Sequence, residues 1–137
     1  MSGSAATGAG ATRVIIADDD DDLRDLVSIT VARAGLELVA AVADGESAWS
    51  AVVEHRPDIV LLDVAMPGMT GLEVSRRIRA DLSLAPVHIV LISAGVDSES
   101  HAEGWAAGAD DYLIKPFSPR VLIEKLVAVA APSGLVS

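Results

Sequence analysis

The sequence predicts an α/β domain, a doubly wound parallel β-sheet with helices on both faces. Three observations carry this. Five short apolar runs recur along the 137 residues, starting near Arg13, Leu36, Ile59, Val87 and Asp111. The segments between them repeat their apolar residues at three- and four-residue spacing, the period of an amphipathic helix. The apolar runs are continuous rather than alternating, as in strands covered on both sides.

Each element has its local justification. Arg13-Val14-Ile15-Ile16-Ala17 is a strand ending at Asp18. A helix from about Asp22 places Leu23, Leu26, Val27, Thr30, Val31 and Ala34 on one face, and Gly35 stops it. Leu36 to Ala43 is the second strand. Asp44-Gly45 turns into a helix buried through Ala48, Val52 and Val53, and Pro57 marks its end. Ile59 to Leu62 is the third strand, delivering Asp63 to its C-terminal end. Pro67, Gly68 and Gly71 turn the chain there. Thr70-Gly71-Leu72-Glu73 has the form of a capping box, opening a helix to about Ala80 that buries Leu72, Val74 or Ser75, and Ile78. Pro86 precedes the fourth strand, Val87 to Ile92, which stops at Ser93-Ala94-Gly95. A weaker helix spans about Ser98 to Ala107. Asp111-Tyr112-Leu113-Ile114 is the fifth strand. Ser118 and Pro119 form an N-cap and N1 pair for the last helix, buried through Leu122, Ile123, Leu126, Val127 and Ala130.

Composition narrows the function. Half the chain is hydrophobic (51%), yet no apolar run approaches the roughly 20 residues that span a bilayer. Residues 1–12 have neither a basic nor an apolar signal region and read as a flexible leader. Residues 13–130 form one domain, and 131–137 read as a tail or the start of a linker. With no export signal the chain is expected in the cytoplasm. The absence of cysteine excludes thiol chemistry and disulfides. A net charge of −10 argues against direct nucleic-acid binding, which needs clustered basic residues. The basic cluster Arg76, Arg77 and Arg79 reads as a solvated helix face. His55, His88 and His101 lack metal-ligand spacing and read as structural. Trp49 and Trp105 read as helix-packing residues.

The chemistry lies at the strand ends. Strand one ends in Asp18-Asp19, strand three in Asp63, strand four in Ser93 and strand five in Lys115. In a parallel sheet these ends share one edge, where ligands bind. Three converging carboxylates repel unless a cation sits among them. Oxygen donors without His or Cys suit a hard cation, above all Mg²⁺. A carboxylate nucleophile, Mg²⁺, a lysine and a hydroxyl describe a phosphoryl-transfer site. Asp20 to Asp22 instead enter the first helix, where negative charge suits the dipole.

These motifs together resemble the CheY-like receiver domain of bacterial two-component response regulators. The resemblance spans about residues 13–130. It rests on the acidic pair after strand one, Leu62-Asp63 through Met66-Pro67-Gly68 to Gly71, Ser93-Ala94, and Asp111-Tyr112-Leu113 with Lys115-Pro116-Phe117. It implies a flavodoxin-like sheet in the order 2-1-3-4-5. It implies that Asp63 is the phospho-acceptor and that Asp18, Asp19, Asp63 and the Ala65 backbone carbonyl hold Mg²⁺. Ser93 would be the switch hydroxyl, Lys115 the phosphate-pairing lysine, and Tyr112 the switch aromatic that fills space beside strand four. The implied partners are a histidine kinase or histidine phosphotransfer protein and an output domain or protein. The output would read the face of helix four, strand five and helix five, and a second copy of the chain, in a phosphorylation-dependent homodimer, is a further expected partner. Three positions depart mildly from the pattern: Ser93 replaces the commoner Thr, Thr70 stands where Asp or Ser is frequent, and Asp21 replaces a proline or other polar residue. A phosphatase of the haloacid-dehalogenase type is disfavoured, because Ala65 stands where its general-acid Asp would be. Turnover of an external substrate is therefore not expected. A pseudo-receiver that is never phosphorylated is the alternative, although such domains usually lack one of the groups present here.

Overall fold

The structure, a computed structural model, describes residues 11–95 and 98–130, with the backbone alone for 98–101. The elements in order are β1 (Arg13–Ala17), α1 (Asp21–Arg33), β2 (Glu37–Val42), α2 (Gly45–His55), β3 (Ile59–Asp63), α3 (Gly71–Ala80), a 3₁₀ turn (Leu82–Leu84), β4 (His88–Ser93), α4 (Ser98–Ala106), β5 (Asp111–Ile114) and α5 (Pro119–Ala130). All pairings are parallel, and the five strands run in the order β2-β1-β3-β4-β5. Every strand therefore ends on the same edge.

Alternate strand residues feed two cores. Ile15, Val60, Leu62, Ile89 and Leu91 pack with Ala48 and Val52 of α2 and Val74 and Ile78 of α3. Val14, Ile16, Ile59, Leu61, Val90, Ile92 and Leu113 pack with Val27 and Val31 of α1 and Leu122 and Leu126 of α5. β1, β3 and β4 are covered on both sides, as their unbroken apolar runs required. β2 is an edge strand and only half-buried, so the expectation of five buried strands holds less well there.

The caps follow the sequence closely. Asp20 caps α1 by accepting from the amides of Asp22 and Leu23. Gly35 follows that helix at φ +81°, a left-handed backbone that favours glycine. Thr70 and Glu73 form the expected reciprocal capping box on α3. Two expected core residues are exposed: Val53 and Val127. Each directly follows a buried residue, Val52 or Leu126, and one step along a helix turns a side chain by about 100°. Ala51 takes the core position on α2 instead.

Arg79 also departs from its expected role as a solvated side chain. Its Nε donates to the Gly108 carbonyl at 2.8 Å, and Nη2 donates to the Val87 carbonyl at 2.7 Å and pairs with Asp110. It staples α3 to the loops flanking β4 and β5. Trp49 packs against the core with Arg77 over its ring, whereas Trp105 is half-exposed and meets the Tyr112 ring in a T-shaped contact. The side chain of His101 and the leader and tail residues 1–10 and 131–137 lie outside the described residues.

Candidate functional site

Strand burial decides where the acidic groups point. Ala17 is fully buried at the end of β1, and the next residue, Asp18, is fully buried too (0% exposed). Its amide donates to the Val42 carbonyl at 3.0 Å, which holds the strand end against β2. Arg24 of α1 reaches back and donates to the Asp18 carbonyl at 2.8 Å. Asp19 is the first exposed residue after the strand. On β3, Asp63 is only 4% exposed, yet it stands at the floor of an open cavity of about 390 Å³. Asp19, Asp63, Val64, Ala65, Ser93, Ala94, Gly95 and Lys115 line that cavity. The four predicted strand ends thus meet in one place.

The hydrogen bonds show what each group is free to do. Asp63 accepts from the Ala65 amide at 3.1 Å through Oδ1 and from Lys115 Nζ at 3.2 Å through Oδ2. Asp18 Oδ1 accepts from the Asp20 amide at 2.9 Å. Lys115 Nζ also stands 3.2 Å from Asp18 Oδ2, but the two are poorly aligned for a hydrogen bond. Asp18 Oδ2 is thus a buried carboxylate oxygen held by the Lys115 ion pair without a hydrogen-bond donor, which leaves it able to take a metal ion as a further partner. Ser93 Oγ accepts from the Gly95 amide at 3.0 Å, fixing the hydroxyl at the cavity wall. The Lys115–Pro116 peptide bond is cis.

Electrostatics agree with the geometry. Burial, and then the neighbouring Asp18 charge, push the Asp63 carboxyl up to about 6, against the pull of Ala65 and Lys115. Burial disfavours the Lys115 charge, but Asp63 and Asp18 outweigh it and lift the ammonium above its ordinary range. Lys115 is therefore a fixed cation. One carboxylate oxygen from each of Asp18, Asp19 and Asp63 lies within 4.8 Å of the others. An all-oxygen set of this kind, with one buried oxygen short of a donor, fits Mg²⁺. Those three residues are the groups that could hold it.

Tyr112 turns its hydroxyl towards α4. The ring stands inward at 7% exposure, edge-on to Trp105 with centroids 5.4 Å apart. Its hydroxyl lies under Gly104 of α4 and is hydrogen-bonded to the backbone there, while burial pushes its pKa up. The sequence reading missed Gly104 and Arg24. The signal for Gly104 is a glycine inside a helix, which needs a packing reason. The signal for Arg24 is only its i+3 spacing from Asp21, with which it pairs. Outside the cavity, His88 Nδ1 lies 4.0 Å from Asp110.

Comparison with known proteins gives a consistent answer. Residues 14–127 match the response regulator receiver domain. The chain is 40% identical over 116 residues to the DNA-binding response regulator MtrA of Mycolicibacterium smegmatis, covering 85% of this chain and 49% of that protein. It is 34% identical over 121 residues to the phosphate regulon transcriptional regulatory protein PhoB of Pseudomonas aeruginosa, covering 88% and 52%. The chain therefore spans about half the length of the curated relatives it matches. Among solved structures, the chemotaxis protein CheY4 of Vibrio cholerae superposes with a TM-score of 0.81 at 34% identity, covering 88% of this chain and 99% of that one. A putative response regulator from Chloroflexus aurantiacus gives 0.82 at 30% identity, with 89% and 99% covered. Matched from β1 into α5, with all four strand-end motifs inside the match, the chain belongs to the response regulator receiver domain family.

Proposed function

We propose that this chain is a phospho-accepting receiver that takes a phosphoryl group onto Asp63 from a histidine kinase or histidine phosphotransfer protein. The observation that carries the reading is the Asp63 carboxylate itself, nine-tenths buried, open on one side to the cavity and bridged to Asp18 by one lysine. In the transfer, an Asp63 oxygen attacks phosphorus as the bond to the donor's imidazole nitrogen breaks, and that nitrogen keeps the electron pair. The Ala65 amide on Oδ1 orients the carboxylate for this attack. Lys115 releases Oδ2 and pairs with a phosphoryl oxygen, and its raised pKa keeps it charged throughout. Asp18, Asp19, Asp63 and the Ala65 carbonyl would hold Mg²⁺, which would neutralise the negative charge of the phosphoryl oxygens. Ser93 lines the same cavity and is placed to donate to the new phosphoryl group once it leaves Gly95.

The output is read from α4, β5 and α5, by an output domain or protein or by a second copy of the chain once phosphorylated. Tyr112 and the half-exposed Trp105, Val121 and Val127 lie on these elements, so a change at Ser93 reaches them through β4 and β5. No helix among the described residues is long and apolar enough to cross a membrane, and we place the chain in the cytoplasm without direct contact to nucleic acid. Acetyl phosphate with Mg²⁺ tests the reading. The intact protein should gain the mass of one phosphoryl group, and Asp63→Asn should abolish it. A folded wild type that stays unmodified would support the pseudo-receiver instead.

A further inference from the structure

We propose that Gly45, the first residue of α2, is a positioning residue for the metal and acceptor groups, although it touches neither. The inference rests on the reading that Ala65 and Asp63 take part in Mg²⁺-dependent phosphoryl transfer. Loop 64–70 between β3 and α3 carries Ala65. The loop is closed at its base: the Gly71 amide donates to the Val64 carbonyl at 3.1 Å. Gly71 is pressed so closely on β3 that a Cβ there would lie 2.3 Å from the Asp63 carbonyl oxygen. Met66 anchors the middle of the loop in the core at 6% exposure.

The far side of the loop rests on α2. A Cβ on Gly45 would lie 1.7 Å from the Met69 carbonyl oxygen, 2.5 Å from its carbon and 2.7 Å from Met69 Cβ. The nearest atoms are backbone, so no side-chain rotation relieves the contact. Asp44 fixes the start of α2 through its bonds to the Ser47 amide at 2.8 Å and hydroxyl at 3.0 Å. Gly45 is buried between this fixed helix start and the loop. Ala48, Ala51 and Val52 pack α2 into the core, so a side chain at residue 45 must move the loop rather than the helix. Because the loop is cinched at Val64 and Gly71, the displacement passes to Ala65. It would disturb both the Ala65 carbonyl and the Ala65 amide that bonds Asp63 Oδ1.

The test uses Gly45→Ala, with Gly35→Ala as its control. Gly35 sits at φ +81° with nothing within 4 Å of a Cβ, so its substitution strains the backbone far from the cavity. In metal-free protein, Gly45→Ala should shift the amide resonances of residues 64–70, and Gly35→Ala should not. Mg²⁺ titration followed by NMR or calorimetry should show Gly45→Ala weakening the Kd by about tenfold or more, the scale on which outer groups tune metal sites. Gly35→Ala should stay within about twofold of wild type at a comparable loss of melting temperature. A Gly45→Ala protein that binds Mg²⁺ as wild type does would overturn the inference. Met69→Ala tests the contact even if Gly45→Ala fails to fold: it keeps the backbone seat, so its Kd should stay within about twofold. A larger loss there would assign the loop position to the Met69 side chain and overturn the role of Gly45. Wild type that binds no Mg²⁺ while the loop resonances of Gly45→Ala still shift would overturn the functional reading on which the inference rests, and the metal role of Gly45 with it.

Discussion

Gly104→Ala offers a test whose sign alone decides. Glycine inside a helix costs about 1 kcal/mol relative to alanine. If residue 104 were merely a helix position, the substitution would stabilise the protein by about that much. The structure predicts the reverse. A Cβ at Gly104 would lie 1.7 Å from the Tyr112 hydroxyl oxygen and 2.4 Å from Cζ. These atoms end a flexible side chain, so the fold survives and the ring leaves its seat. Turning the ring outward re-exposes on the order of 100 Å² of apolar surface, worth about 2.5 kcal/mol. The edge-on contact with Trp105 adds about 1 kcal/mol. Against the helix gain, the net effect is a loss of about 2–3 kcal/mol. For a domain of this size that lowers the melting temperature by roughly 10 °C. Thermal melts of wild type, Gly104→Ala, Tyr112→Ala and the double variant give the coupling directly. In the Tyr112→Ala background the clash is gone, and Gly104→Ala should stabilise by about 1 kcal/mol. A rise in melting temperature for Gly104→Ala alone would refute the steric reasoning. So would additivity around the cycle.

Asp19→Ala should weaken Mg²⁺ binding by about tenfold or more, whereas Asp21→Ala, an exposed residue paired with Arg24, should leave it unchanged; equal losses in Mg²⁺ titrations would sink the assignment. Asp63 is raised to about 6 from 3.8 by burial and Asp18, so the folded state takes up its proton before the unfolded state does. Charged Asp63 therefore destabilises the fold at neutral pH, and that penalty is relieved as pH falls through about 6 towards 3.8. Denaturant melts should show Asp63→Asn more stable than wild type at pH 7, with the difference shrinking by pH 4; a pH-independent difference would contradict the shift. Ala65 is exposed at the cavity rim, leaving the line of attack on an acyl phosphate open. Ala65→Lys should cover it and slow phosphate loss, measured after the phosphodonor is removed; a change below about twofold, or about 0.4 kcal/mol in the barrier, would show that this position does not control access.

The sequence by itself determined the architecture and the membership of the site. Unbroken apolar runs at β1, β3 and β4, too short for helices and bounded by turn signals, read as strands covered on both faces, and parallel strands place all their C-terminal ends on one edge. Asp18, Asp63, Ser93 and Lys115 were therefore bound to meet before any distance was known. Caps such as Thr70 with Glu73 were equally legible, because a cap is a local bond between near neighbours. Tertiary structure decided what depends on a distant surface. Val52 and Val53 are both apolar, and only the neighbouring sheet selects which is buried. Arg79 looks like a solvated cation until the turn before β4 and the loop before β5 bring the Val87 and Gly108 carbonyls within its reach. Gly45 and Gly104 look like ordinary glycines in the sequence. Their roles are set by atoms of Met69 and Tyr112 that occupy the space of an absent side chain, and although a glycine inside a helix hints that Gly104 has a packing role, nothing local says which residue fills that space.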